Sequence, residues 1–197
     1  ADAAWDAGDT RLALVSAAAY SPLAAGTGYL ASALVTLPNV APGAWHILAV
    51  ADALGAQGEV NENNNTRSAS ILIETPDLAV ETVLAPATAL TGASISVTYL
   101  VRNTGAAATP SGAAWTDRVY LSADAVFGGD TLLATFSRGG VLAPDATYSE
   151  TVTVAIPASL AAGAYTMFIQ TNAGGTVFEA GLTANNHLAS DLVDVAL

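Results

Sequence analysis

The chain has 197 residues and a formal net charge of -12, with 17 acidic residues against five basic ones, all of them arginine. Such an acidic, lysine-free chain is a poor partner for nucleic acid or an anionic membrane surface, and it offers carboxylates to divalent cations. It has no cysteine, which excludes disulfides and thiol catalysis, and no apolar run reaches about 18 residues without interruption, so we predict no membrane insertion.

Short segments of alternating apolar and polar residues, separated by glycine, proline, asparagine and aspartate, predict strands throughout the chain. No long stretch keeps the period of an amphipathic helix, so we expect an all-β protein. The first part predicts four strands, near residues 11–16, 29–37, 45–52 and 68–74. Residues 1–6 lack the features of a signal peptide, so we expect any export signal to lie outside this sequence.

A domain boundary is predicted at residues 74–77, where proline and aspartate end one strand and redirect the chain for the next. We therefore expect one domain over residues 1–75 and another over residues 76–197. Within the second domain, residues 76–122 predict about three strands, which brings the domain to roughly seven. That number is typical of an immunoglobulin-like β-sandwich.

The clearest strand, residues 94–102, has apolar side chains at alternate positions, which predicts one face on the core and one in solvent. The core-facing residues are Ile95, Val97, Tyr99 and Val101. Later strands follow the same rule. One ends at Pro157, and the next places Tyr165, Met167 and Ile169 on a single face.

The chain also contains an internal repeat, because residues 1–74 align with residues 123–197 with small gaps, at a spacing of about 120 residues. The matches include residues 8–10 with 129–131, Tyr29 with Tyr148, Pro38 with Pro157, and Trp45 with Tyr165. The first copy has no counterpart of residues 76–122, so we expect an incomplete sandwich with an exposed sheet edge. Completion would come from a neighbouring chain, building a filament head to tail, or from an upstream part of the same polypeptide.

These features resemble the CARDB module (cell adhesion related domain found in bacteria), an immunoglobulin-like sandwich repeated in large secreted bacterial and archaeal proteins. The stretches that carry the resemblance are residues 76–78, 101–105, 117–122 and 129–133, with residues 59–65 in the first copy. They extend along nearly the whole second copy. The resemblance implies a surface location, tandem arrays and an adhesive, stalk or fibre role.

An acidic, asparagine-rich loop before the last strand of each copy is the strongest candidate site, since its carboxylate, amide and backbone oxygens suit calcium. The candidate ligands are Glu59, Glu62, Asn64 and Asn65 in the first copy and Glu179, Asn185 and Asn186 in the second. The alternative interpretation, which we favour, is that the asparagines hold the turn through hydrogen bonds to the backbone while the glutamates are solvated. No spacing like that of an EF-hand loop is met.

Other candidate sites are weaker. Aspartates and glycines within residues 2–9 and 124–130 could hold a cation, but they are also ordinary turn residues, which is the interpretation we favour. His187 lies near Ser190 and Asp191, yet proximity in sequence does not give the geometry of a catalytic triad, so we predict no enzyme. Trp115 could be exposed and adhesive, but a core position is favoured.

The sequence thus predicts tandem immunoglobulin-like β-sandwich modules, the first incomplete, in a structural or adhesive repeat protein that is secreted or displayed on a cell surface. The expected partners are neighbouring copies of the chain or adjacent modules of the same polypeptide. Calcium is the candidate cofactor. The alternative function is a carbohydrate- or peptide-binding accessory module that uses the loops at one end of the sandwich.

Overall fold

The computed structural model describes residues 2–197, which divide into two compact units, unit 1 up to Ile73 and unit 2 from Glu74 to Leu197. The strands in chain order are β1 (Gly43–Val50) and β2 (Thr66–Ile73) in unit 1, and β3 (Leu78–Leu84), β4 (Thr88–Leu90), β5 (Ser94–Asn103), β6 (Ala114–Ser122), β7 (Thr131–Gly139), β8 (Thr147–Ala155), β9 (Gly163–Gln170) and β10 (His187–Ala196) in unit 2. Helical structure in the described residues is limited to two single 3-10 turns, Ala18–Tyr20 and Glu62–Asn64. None of the helical segments in residues 2–197 has the length and apolar character needed to span a membrane.

Unit 2 is a β-sandwich of two sheets. One sheet has the strand order β4-β10-β9-β6-β7, and the other has the order β3-β5-β8. The strand alternation predicted from the sequence is confirmed, since Ile95, Val97, Tyr99 and Val101 of β5 are all buried between the sheets. Unit 2 has eight strands instead of roughly seven because the short segment β4 pairs in parallel with the end of β10.

Unit 2 consists of two halves, which we call the front half (residues 76–122, strands β3–β6) and the back half (residues 123–197, strands β7–β10). The two halves interleave. Front strand β6 pairs with back strands β7 and β9, β5 pairs with β8, and β4 pairs with β10. The pairing of β9 with β10 is therefore the one ladder formed within the back half itself.

Unit 1 contains one antiparallel pair of strands, β1 and β2. The predicted strands near residues 45–52 and 68–74 are present with shifted ends, but those near residues 11–16 and 29–37 are wrong, since neither segment is a strand in the structure. By the repeat, these two segments correspond to β7 and β8, whose ladder partners β6 and β5 both belong to the front half. A strand needs a partner for its backbone groups, and no described segment of unit 1 supplies one to these residues.

The strand pair of unit 1 has the register of its counterpart in unit 2. Val50 is opposite Thr66 in one unit and Gln170 is opposite His187 in the other, which is the same pair shifted by about 120 residues. The following turns also agree, because Asp52 and Asn172 both have a positive φ and both accept a backbone hydrogen bond from a glycine three residues later. Unit 1 therefore has the local geometry of a back half.

We expect hydrogen exchange to separate the two units. Amides of residues 11–16 and 29–37 lack strand partners and should exchange rapidly, whereas the matching amides of β7 and β8 should be protected. Exchange measured by mass spectrometry on the whole chain contains its own control, because the two sets of segments are compared in one sample. Equal protection of both sets would contradict the assignment of unit 1 as an unpaired back half.

Candidate functional site

Two buried polar clusters join the front half of unit 2 to its back half. The first is centred on Asp117, which lies in the middle of the core-facing side of β6 between Trp115 and Val119. Its carboxylate is completely buried, with 0% of the residue exposed. An isolated carboxylate in such an environment is costly, so its hydrogen-bond partners decide whether the fold tolerates it.

Four side chains donate hydrogen bonds to Asp117, and together the five residues form what we call the Asp117 cluster. The distances to its carboxylate oxygens are 2.9 Å from Tyr99 Oη, 2.8 Å from Tyr148 Oη, 2.9 Å from Thr171 Oγ1 and 3.2 Å from Arg138 Nε. Tyr99 and Asp117 come from the front half, and the other three come from the back half. The cluster therefore connects both sheets and both halves.

Arg138 supplies the compensating positive charge. Besides Asp117, its guanidinium contacts Glu150 at 3.0 Å and donates a hydrogen bond of 2.9 Å to Tyr99 Oη. Burial raises the pKa of Tyr99 and of Tyr148 above the ordinary tyrosine value, so both phenols keep the protons that they donate. The two tyrosines therefore remain hydrogen-bond donors through the neutral pH range.

The second cluster is centred on Glu179, one of the predicted site residues. Glu179 is 3% exposed and accepts hydrogen bonds from Leu78 N at 2.5 Å, Asn172 Nδ2 at 2.6 Å and Asn186 Nδ2 at 2.7 Å. We call these four residues the Glu179 cluster. Leu78 begins β3 of the front half, so the carboxylate holds the first front strand against the back half.

Asn185 reinforces the same contact between the halves. Its side-chain nitrogen Nδ2 donates to both carboxylate oxygens of Asp77, at 3.0 and 3.1 Å, and its backbone carbonyl oxygen accepts from Val80 N at 3.0 Å. The expectation that the glutamates are solvated is wrong for Glu179, which is buried. Burial raises the pKa of its carboxyl, and the hydrogen bonds from Asn186, Leu78 and Asn172 oppose that rise.

The matching loop of unit 1 keeps one of these hydrogen bonds and is exposed. Asn65 Nδ2 donates to Glu59 Oε2 at 2.7 Å, as Asn186 does to Glu179, and also to Glu62 Oε2 at 3.1 Å. Asn64 ends the 3-10 turn Glu62–Asn64. The structure thus brings Glu59, Glu62 and Asn65 together around an amide group, in an arrangement typical of a hydrogen-bonded turn.

The arrangement of the predicted calcium ligands suits the hydrogen bonds described above better than it suits a metal site. Within residues 2–197, histidine and acidic side chains form no group of three placed to hold a metal ion. The predicted carboxylate ligands already accept N–H donors. The buried oxygens Asn185 Oδ1 and Asn186 Oδ1 have no partner, and they are the atoms here that a cation or water would satisfy. Calcium binding stays a prediction.

The weaker candidates are occupied in other ways. Asp124 and Asp130 accept backbone N–H groups in their own turn, at 2.8 and 2.9 Å, as the turn interpretation expects. His187 stacks on the ring of Phe127 at 4.3 Å, while Ser190 donates its hydroxyl to the backbone oxygen of Asp191. The hydroxyl of Ser190 is therefore hydrogen-bonded to the backbone and not to a catalytic base.

Trp115 is a core residue, as the favoured interpretation expected. It is 4% exposed and donates from Nε1 to Tyr148 Oη at 3.2 Å. It therefore presents no aromatic face for a sugar ring to stack upon. Sequence reasoning missed the Asp117 cluster, although one signal was present: an acidic residue on the core-facing side of a strand, between Trp115 and Val119.

Comparison with known proteins gives one family match. The model of the CARDB family matches residues 75–190. No curated protein matches.

Solved structures that resemble the chain include the CARDB domain of the PF1109 protein from Pyrococcus furiosus in complex with di-metal ions, at 24% identity over 62% of this chain and 90% of that one, with a TM-score of 0.45. A domain described as that of a cell surface protein from Methanosarcina acetivorans has 21% identity over 62% of this chain and 93% of that one, with a TM-score of 0.42. β-Glucosidase 3B from Thermotoga neapolitana has 15% identity over 74% of this chain and 18% of its own, with a TM-score of 0.40. Likenesses this weak carry no functional argument.

Replacing Arg138 by methionine should destabilise unit 2 strongly, because Asp117 would stay buried without a positive charge. The expected loss in free energy of unfolding is about 3–5 kcal/mol. The measurement is urea unfolding followed by the fluorescence of Trp115, in a chain whose Trp5 and Trp45 are phenylalanine. Arg102→Met is the matched control: Arg102 forms exposed ion pairs, so its loss should be far smaller. Similar small losses in both variants would contradict the role of the Asp117 cluster.

The stability of unit 2 should depend on pH through Glu179. Because the folded-state pKa is raised, the folded state binds this proton more tightly than the unfolded state does. The stabilisation that comes from this proton is fully present below the ordinary pKa of 4.5 and is lost as pH rises through the raised pKa of the folded state. The free energy of unfolding, relative to that of Glu179→Gln, should therefore fall as pH rises from 4.5. Urea unfolding at a series of pH values measures it; a constant or rising difference would contradict it.

Proposed function

The chain belongs to the CARDB family, and from this we propose that it is an extracellular structural or adhesive β-sandwich module of a bacterial or archaeal surface protein. CARDB domains occur in surface proteins and are non-catalytic modules. The buried polar groups described above support a structural role, since Asp117 and Glu179 are both used to join two halves of one sandwich. Secretion and adhesion are parts of the proposal.

One observation carries this proposal: unit 1 has the geometry of a back half, and no front half covers it within the described residues. Residues 11–16 and 29–37 and strand β1 line an open cavity of about 1510 Å³. Large apolar side chains that line it, such as Leu14 and Val15, are exposed. Strand edges and apolar surface of this kind are typical of a site that accepts strands from another segment.

We therefore propose that unit 1 is completed by strands from another module, so that successive modules form an array. The alternative of a carbohydrate- or peptide-binding module has less support. Trp115, which the sequence offered as an exposed adhesive aromatic, is buried. A stalk, fibre or adhesive array needs no such residue, because its function depends on the stability and repetition of the sandwich.

The proposal is tested by measuring the mass of the purified chain by light scattering while a dye that fluoresces on apolar surface is titrated in. We expect a monomer that binds the dye, because no front half covers unit 1 within the described residues. Dye binding reports the exposed apolar surface of unit 1, and assembly reports its burial. A monomer that binds no dye would contradict the proposal, because unit 1 would then be complete by itself.

Calcium stabilisation of the acidic loops is a separate part of the proposal, supported by the unpaired oxygens of Asn185 and Asn186 and by the acidic surface. Calcium at about 100 times its dissociation constant should add about 2.7 kcal/mol to the free energy of unfolding and raise the melting temperature. Glu62→Gln should reduce the shift, while Asp191→Asn, which removes the same charge from an exposed strand position, should not. Calorimetry with and without calcium measures this, and an unchanged melting temperature would contradict it.

A further inference from the structure

Unit 2 is an internal template for what would complete unit 1. Its front half supplies strands to three places in the back half: β6 lies between β7 and β9, β5 lies beside β8, and β4 lies beside β10. The corresponding places in unit 1 are residues 11–16, strand β1, residues 29–37 and strand β2. A segment that completes unit 1 must therefore bring several strands, and a single peptide strand would leave most of the open edges unpaired.

Unit 1 keeps the features that would receive the first incoming strand. In unit 2, Glu179 accepts the backbone N–H of Leu78 at the start of β3. Its counterpart Glu59 is exposed and oriented by the same amide contact, from Asn65. The backbone bond from Thr171 N to Asn186 O also has its counterpart, from Ala51 N to Asn65 O, at 2.8 Å in both units. A front strand that begins with the Pro-Asp-Leu pattern of residues 76–78 matches this receiving position.

Unit 1 lacks two of the groups that stabilise the buried carboxylate of Asp117 in unit 2. The segments align through Leu12 with Leu133, Ala13 with Ala134 and Ser16 with Ser137, which places Ala17 at the position of Arg138. The shared backbone bonds described above place Ala51 at the position of Thr171. Tyr29 remains as the counterpart of Tyr148. Both the positive charge and the hydroxyl that Asp117 requires are therefore replaced by alanine.

We propose that unit 1 accepts a CARDB front half that begins with a Pro-Asp-Leu strand and carries an apolar residue where this chain has Asp117. The front half of this chain is rejected because its Asp117 would be buried without a cation. This inference rests on the proposed function and adds selectivity to it. By the cost of an uncompensated buried charge, the preference for the apolar residue is at least about 100-fold.

The test uses the full chain with a second copy of residues 76–122 fused in front of residue 1, as the front half precedes the back half in unit 2. In one fusion the added copy is unchanged, and in the other the added copy alone carries Asp117→Val. The readout is hydrogen exchange at residues 11–16 and 29–37. We expect the valine fusion to slow exchange there by at least about 100-fold and the unchanged fusion to leave it near the rate of the parent chain.

A reciprocal variant separates charge from other effects of the substitution. Ala17→Arg with Ala51→Thr restores the missing partners, so it should allow the unchanged fusion to protect residues 11–16 and 29–37. Protection that is equal in the two fusions, or stronger with aspartate, would overturn the selectivity while leaving completion by a front half in place. Exchange that stays fast in every fusion, the reciprocal variant included, would overturn the selectivity and the proposed function together.

Discussion

The structure of unit 2 depends on the position of β6 between β7 and β9. β6 is the last strand of the front half, and both of its neighbours belong to the back half. Its core-facing side carries Trp115, Asp117, Val119 and Leu121, so the same strand both pairs with two back strands and contributes side chains to the core. Where the equivalent of β6 is missing, as in unit 1, the segment that corresponds to β7 does not form a strand.

Buried polar groups join the halves in a chain that has no cysteine. The Asp117 cluster connects strands of both sheets in the interior, a place where a disulfide joins the sheets of many secreted sandwiches. The Glu179 cluster fixes the first front strand at the edge. Both clusters are directional, since a carboxylate that loses its donors becomes an unpaired buried charge. They therefore favour one arrangement of front and back halves over others with similar apolar surfaces.

Short-range patterns in the sequence predicted those features that depend on neighbouring residues, such as which face of a strand is buried. The alternation of Ile95, Val97, Tyr99 and Val101 identified the core face of β5, and the repeat identified the equivalence of β1 with β9 and of β2 with β10. The strands predicted at residues 11–16 and 29–37 were wrong because a strand is completed by a distant partner, which alternation does not reveal.

The chemistry of the site was harder to predict for the same reason. Glu179 was recognised as a site residue, but its burial depends on Leu78, about 100 residues away in sequence. For Asp117 the sequence holds one signal, an acidic residue on the core-facing side of a strand, and it was missed. Its four donors come from positions between Tyr99 and Thr171 that no motif connects. Both clusters become visible when the two halves are placed together.

The most direct test of this account is to cut the chain between the halves of unit 2. A protease site placed in the exposed loop of residues 123–126 would be cleaved in the folded protein, and the mass of the product would be measured by native mass spectrometry and light scattering. The account predicts that the two fragments stay together after cleavage, because strand pairing, the Asp117 cluster and the Glu179 cluster all cross the cut. Fragments that separate without denaturant would contradict it.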